Sequence, residues 1–166
     1  TRKGLLIYNI DTSKWSLIDT SDGLKSNSIY DLEYFNNNLY IVTNKGICVV
    51  SIFGNKVIMN NNFSSLNKAF VKDVYIDENK FLILIDNGIL EYFPKLGSFK
   101  EIIEGNYEHV LIDDDSNLIL AKRNKIFKFN PVKNERTLIK HIKNIKDISL
   151  CNNYLWANSI KEAILL

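Results

Sequence analysis

The sequence predicts an all-β chain, a β-propeller or part of one, with about four blades of four-stranded antiparallel sheet. Three observations lead there. A short motif built on a glycine returns at a spacing close to that of a propeller blade, roughly 40 residues. Apolar runs of strand length keep a constant phase to that glycine. No stretch carries sustained helical periodicity.

The anchors are Gly4 in RKGLL, Gly46 in TNKGI and Gly88 in DNGIL; Lys125 in RNKIF and Lys161 in SIKEA then take the same place. Their successive spacings are 42, 42, 37 and 36 residues. Seven residues before each anchor begins an apolar run: LYIV from Leu39, FLIL from Phe81, LILA from Leu118, YLWA from Tyr154. An earlier run precedes it: IYDL from Ile29, VKDV from Val71, IKDI from Ile145, with the degenerate YEHVLID from Tyr107. A third follows the anchor: LLIY from Leu5, ICVV from Ile47, ILEYF from Ile89, IFKF from Ile126. A fourth follows a polar turn: WSLI from Trp15, VIM from Val57, FKEII from Phe99, TLI from Thr137. The approximate repeats are 1–27, 28–69, 70–106, 107–143 and 144–166, a single domain of tandem units.

Each run is rich in β-branched and aromatic residues, and Asn, Gly, Pro and Asp punctuate the gaps between them. Many runs lack alternation, which predicts sheets covered on both faces, as in stacked blades. A glycine at the anchor predicts a turn with positive φ or a close backbone approach. The turns at Lys125 and Lys161 should therefore differ in shape.

Composition sets outer limits. Hydrophobic residues at 46% and charged residues at 24% are an ordinary globular balance. A net charge of +2 gives no molecule-wide attraction to nucleic acid or membrane. Acids dominate from Asp73 to Asp115 and bases from Lys122 to Lys146, which reads as two solvated faces of opposite sign. Cys48 and Cys151 lie in apolar stretches without a CxxC pattern. They read as structural thiols, and spacing leaves open whether they pair. No apolar run reaches the length of about 18 residues needed to span a membrane. No signal peptide is visible; the chain opens in the middle of the pattern, as a processed or trimmed one would.

One segment is more specific. From Asp22 the chain reads DGLKSNSIYDLEYFNNNLYIVTNKGI. It resembles the two-component regulator propeller repeat, whose pattern runs roughly DGL-x-SN-x-I, a turn, then LWIGT-x-x-GL. Asp22, Gly23, Leu24, Ser26, Asn27, Ile29, Leu39, Ile41, Thr43 and Gly46 fit; Tyr40 stands for the usual Trp and Val42 for the Gly. The later repeats lack the DGL-x-SN string and the Thr, and the period alone extends the resemblance to them. The resemblance implies the periplasmic sensor region of Bacteroidetes hybrid two-component regulators, many of which respond to glycans. It also implies a propeller of seven blades. Seven blades need nearer 280 residues, so the chain is expected to be part of a propeller, with exposed terminal blades. Those blades would be covered by remaining blades of the same propeller or by a second copy. Related propellers occur in a surface component of the type IX secretion system, so the alternative is a structural subunit of a surface or secretion complex.

Candidate chemistry is sparse. Asp31, Asp73 and Asp147 recur within first strands, with His109 near the equivalent place. Carboxylates there suit a cation or sugar hydroxyls. Once-per-repeat recurrence more simply predicts that each accepts a backbone hydrogen bond from a neighbouring blade. His109 and His141 have no metal-ligand partners at suitable spacing, and no GxSxG, HExxH, P-loop or GxGxxG motif occurs. Asp113-Asp114-Asp115-Ser116-Asn117 has the acids of a calcium loop without its Gly and distal Glu, and reads as a turn. Aromatics such as Trp15, Tyr30, Tyr34, Tyr40, Tyr92 and Trp156 read as packing between blades, and Tyr107 as the exception. No acid/base pair for a lyase or hydrolase is visible, so the reading is a non-enzymatic, cofactor-free module outside the cytoplasm. Its ligand would be an oligosaccharide or a protein, with no nucleic acid. The recognition face is expected at the turns before strand one and between strands two and three, through Asn27, Lys45, Asn87, Tyr107, Lys122 and Arg123.

Overall fold

A computed structural model describes residues 3–54, 56–58, 63, 66, 69–76, 80–151, 154–159 and 163–165. The chain is all-β, and its sheets hold two to four antiparallel strands. A 3-10 turn lies at Thr20–Asp22. The chain forms two compact units, residues 1–86 with 91–100 and residues 87–90 with 101–166.

The first unit opens with a hairpin of β1 (Leu5–Asn9) and β2 (Lys14–Ile18). A meander follows: β3 (Ile29–Phe35), β4 (Asn38–Thr43), β5 (Gly46–Ser51) and β6 (Lys56–Ile58). Next come β7 (Val71–Ile76) and β8 (Phe81–Ile85). They belong to a four-stranded sheet whose other strands, β9 (Gly88–Phe93) and β10 (Ser98–Glu104), are divided between the units. The two-residue turn at Asn36-Asn37 has φ of 48° and 60°. Positive values at both positions match the twist of a tight hairpin, and Asn tolerates them.

Core burial explains the missing alternation. Residues 40–43 of β4, 46–50 of β5 and all of β8 are buried. Leu5, Ile18, Leu24, Ile29, Ile41, Cys48 and Val50 form one cluster that joins the hairpin to the following meander. Burying each large aliphatic side chain stabilises by roughly 1.5–3 kcal/mol. Tyr40, in the place of the usual Trp, meets Phe81 edge-to-face at 4.9 Å, within a group that also holds Phe63, Tyr92 and Phe99.

The DGLKSN string is a strut. Asp19 caps the 3-10 turn by accepting from the Ser21 N–H, and Asp22 accepts from the Asp19 N–H. Gly23 closes the turn at φ 104°, and Leu24 drops into the core. Asn27 Oδ1 accepts from the Thr20 N–H at 2.9 Å and its carbonyl from the Gly4 N–H at 3.3 Å. Thr43, fully buried, donates to the Gly46 carbonyl at 2.8 Å and accepts from the Lys45 N–H.

The second unit holds β11 (His109–Ile112), β12 (Leu118–Lys122), β13 (Lys125–Asn130) and β14 (Glu135–His141) as a meander. Then follow β15 (Ile145–Cys151), β16 (Tyr154–Ser159) and β17 (Ala163–Leu165) as a three-stranded sheet. Ile119, Ala121, Ile126, Ile142, Ile145, Ile148, Leu155 and Ala157 join the two sheets in one core cluster. Strand β14 is exposed along its whole length.

The anchors behave as expected where described. Gly46 and Gly88 open β5 and β9. Gly46 has φ 98°. A Cβ on Gly88 would lie 2.8 Å from the Ile103 carbonyl oxygen, the close approach that excludes a side chain. At Lys125 the left-handed residue is instead Arg123, φ 56°, so that turn does change shape. Lys161 lies outside the described residues.

Candidate functional site

The first strands share a local device. Pairing of β3 with β4, β7 with β8 and β15 with β16 shifts register between Ile29 and Asp31, Val71 and Asp73, and Ile145 and Asp147. Each shift is a bulge placed immediately before the recurring aspartate. Asp73 Oδ1 accepts from the Val74 N–H at 2.8 Å and Asp147 Oδ1 from the Ile148 N–H at 2.9 Å. The backbone donor thus comes from the aspartate's own strand and not from a neighbouring blade, which corrects the expectation. In both strands the carboxylate just past the shift accepts from the N–H of the next residue. His109 takes the equivalent place opposite Ala121, on a strand whose pairing with β12 has no shift.

The environments of these groups differ. In the first unit, burial and the adjacent Asp31 push the Asp73 carboxyl up to about 8. Burial and then Asp31 also raise Glu33. Asp31 Oδ2 is buried and has no donor when both carboxyls are ionised. A proton held by Asp73 near neutral pH supplies that donor. In the second unit, His109 Nδ1 lies 3.7 Å from Asp147 Oδ1, with 68% of the Asp147 side chain exposed.

The six residues of the expected recognition face separate on inspection. Asn27 is spent on the strut described above. Lys45 and Asn87 are exposed on their turns, and the Asn87 carbonyl accepts from the Gly105 N–H at 2.8 Å. Tyr107 corrects the expectation: its ring is completely buried beside Gly105, so no ligand can stack on it. The sequence missed this because an aromatic ahead of a strand looks the same whether it turns out or in. Trp15, Tyr34 and Trp156 err the other way, being exposed where packing was expected; Tyr30 is half-exposed but meets the Phe70 ring of the next repeat at 5.7 Å, and Tyr40 and Tyr92 are buried. Cys48 is buried, and burial pushes its thiol up, while Cys151 is exposed and so is no core thiol. Both are free.

Lys122 and Arg123 do come together. With Asn124, Lys125, Phe127 and Arg136 they line a pocket of about 340 Å³ at the β12–β13 turn. Lys122 Nζ lies 5.4 Å from the centre of the Tyr107 ring, and the Arg136 guanidinium lies 4.9 Å from that of Phe127. Arg136 also donates to the Tyr107 hydroxyl at 3.3 Å. Register explains the grouping: Lys122 pairs with Lys125, Leu120 with Phe127, Phe127 with Leu138 and Phe129 with Arg136, all on one face of the sheet. Lys125 and Arg136 were missed because they stand on strands where charge reads as solvated surface. The turn's Asn124 is structural: its carbonyl accepts from the Ile142 N–H and its Oδ1 from the Asn144 N–H.

At the other end of the same sheet, Asp113 acts as turn chemistry. It accepts from Asn117 N and Nδ2 and from Lys128 Nζ at 2.8 Å. Burial works to raise its pKa, but the hydrogen bonds from Lys128 and Asn117 outweigh it and hold the carboxyl low. A cavity of about 690 Å³ lies beside this turn, lined by Asp113, Asp115, Lys128, Ile139, Leu150 and Cys151 among others. Among the described residues no cluster of His, Cys, Asp and Glu has the geometry of a metal site. Among them, too, no helix is long and apolar enough to cross a membrane.

No family model matches the chain, and no curated protein matches it either. Solved structures do. The extracellular domain of BT4673 of B. thetaiotaomicron, described as a hybrid two component system, superposes with a TM-score of 0.80 at 20% identity, over 99% of this chain and 24% of that one. That of BT3049 from the same organism gives 0.76 at 19% identity, over 99% and 24%. PorZ, a surface component of the type-IX secretion system of Porphyromonas gingivalis, gives 0.63 at 12% identity, over 99% and 26%. The chain therefore spans about a quarter of the length of these structures and shares, along nearly all of itself, the fold of those extracellular domains.

Proposed function

We propose that this chain is a run of tandem propeller blades, with repeats at 1–27, 28–69, 70–106, 107–143 and 144–166, from an extracytoplasmic recognition module. Its role is that of a sensor region: it binds a ligand or a protein and catalyses nothing. The observation that carries this reading is the superposition of 99% of the chain on the BT4673 extracellular domain. Fold alone does not specify function, so the site argument is separate. The loops before strand one and between strands two and three lie at one end of each meander, where rigid strands present variable chemistry. Lys45, Asn87, Lys122 and Arg123 stand there, exposed or half-exposed.

The exposed stripe of Leu6, Tyr8, Trp15 and Leu17 supports a covering partner for the first sheet. These four side chains pair across β1 and β2 as Leu6 with Leu17 and Tyr8 with Trp15, and all are more than 40% exposed. An apolar patch of this kind marks an interaction surface, here for remaining blades of the same propeller or for a second copy. A structural role in a surface complex is the second reading, favoured by the likeness to PorZ.

The test is a binding screen of the purified chain against neutral and acidic oligosaccharides by calorimetry. Two double variants go with it, Lys122→Ala with Arg123→Ala and Asn37→Ala with Asn38→Ala. Loss of binding only in the first pair supports the reading. Loss only in the second moves recognition to the opposite end, and no binding by any saccharide leaves the surface-complex reading in its place.

A further inference from the structure

The pocket at the β12–β13 turn carries a charge that no ion pair among the described residues balances. Lys122, Arg123, Lys125 and Arg136 surround it, and no acid lines it. Among the described residues the ion pairs involve Lys128, Asp113, Asp115, His109 and Asp147, and none of these four cations. Like charges gathered this closely repel one another, the more so beside low-dielectric walls. Aromatic faces and not carboxylates hold two of them: Lys122 sits over Tyr107, and Arg136 sits over Phe127 while bonding the Tyr107 hydroxyl. A cation–π contact fixes position without neutralising charge. The guanidinium of Arg136 keeps its donors in a planar fork suited to a two-oxygen anion.

We infer that this pocket binds an oxyanion group, a carboxylate, sulfate or phosphate, carried on a small polar ligand of about monosaccharide size. The volume, about 340 Å³, sits at the lower end for small-molecule sites, roughly 300–1,000 Å³. The inference deepens the recognition reading and rests on its assignment of this loop end to the ligand. Arg136 clamps the anion, Lys122 and Lys125 flank it, and Arg123 at the rim draws it in.

The experiment follows amide NMR shifts of the chain at constant ionic strength while D-glucuronate, D-glucose, sodium sulfate or inorganic phosphate is added. D-glucuronate is expected to shift residues around 122–125 and 136 with a Kd on the order of 1 mM, and D-glucose to leave them still. Preference for sulfate or phosphate over D-glucuronate assigns the anion as tetrahedral. Arg136→Gln should weaken binding at least tenfold and Arg136→Lys less. Should Arg136→Gln lower the melting temperature, the pair Arg123→Gln with Lys125→Gln carries the test, since both residues are exposed. The inference is overturned if no anion binds, if D-glucose binds equally, or if these variants bind as the parent does. A neutral oligosaccharide bound equally by parent and variants would overturn the pocket and leave the recognition reading standing. Anion binding without any oligosaccharide binding would do the reverse.

Discussion

The two units fill one repeating position with opposite chemistry. In the first, Asp31 and Asp73 press two carboxyls together in a buried place, and Asp73 holds a proton there. In the second, His109 and Asp147 stand at the matching register positions as a loose pair, 3.7 Å apart, whose aspartate is largely exposed. The backbone requirement, an N–H just past a register shift, recurs at Asp73 and at Asp147. What differs is water. Burial raises the carboxyl it encloses, while an exposed pair is screened and contributes little. A repeat can therefore conserve a residue's local task while its electrostatic cost changes with depth.

The anchors offer the hardest break of this comparison. Gly88→Ala places a methyl group 2.8 Å from the Ile103 carbonyl oxygen. It should cost about 2 kcal/mol by urea denaturation, within the range for overpacking. Lys125→Ala at the matching place should stay within about 0.5 kcal/mol, since an exposed side chain leaves no cavity. Equal costs would show that the two turns do not differ as described.

The acid pair offers the next. Asp73 binds its proton more tightly folded than unfolded, so the folded state holds more protons between about pH 4 and pH 8. Stability should be greatest below about pH 4 for this group, fall as pH rises through that window, and level off above it. Asp73→Asn keeps an acceptor for the Val74 N–H and a permanent donor for Asp31. The variant should lose most of the downward slope in melting temperature from pH 5 to pH 8.5 and melt higher at the alkaline end. A slope equal to the parent's would refute the proton on Asp73.

His109→Gln should change stability by less than about 0.5 kcal/mol, since its 3.7 Å contact is to a largely exposed carboxylate. A loss several times larger would mean that the two pairs are equivalent after all. The smallest expected effect is on folding itself: Trp15→Lys with Leu17→Lys should barely alter the melt. The same variant should reduce concentration-dependent self-association in sedimentation, because the charges fall on the exposed stripe.

Much of the strand order was legible because short β-branched runs, polar turns and a fixed anchor agree with one another. Gly46 could be read as an anchor since few other residues tolerate its φ of 98°. The candidate pocket was half legible. Lys122 and Arg123 share a turn and could be found together, but Lys125 and Arg136 join them only through strand register. One irregularity between Ile126 and Phe127 settles which residues of β13 oppose those of β14.

The amino-acid order by itself determined the all-β class, the spacing of the units, the glycine anchors and the recurring first-strand aspartates. Each is a local demand of backbone geometry or of short apolar runs set between polar turns. Tertiary structure decided which side chains water can reach. It buried Tyr107, exposed Trp15 and Cys151, turned Asn27 and Asp113 into turn braces, and buried Asp73 deeply enough to raise its carboxyl. Depth and neighbours come from strands far apart in the chain, and no window of sequence contains them.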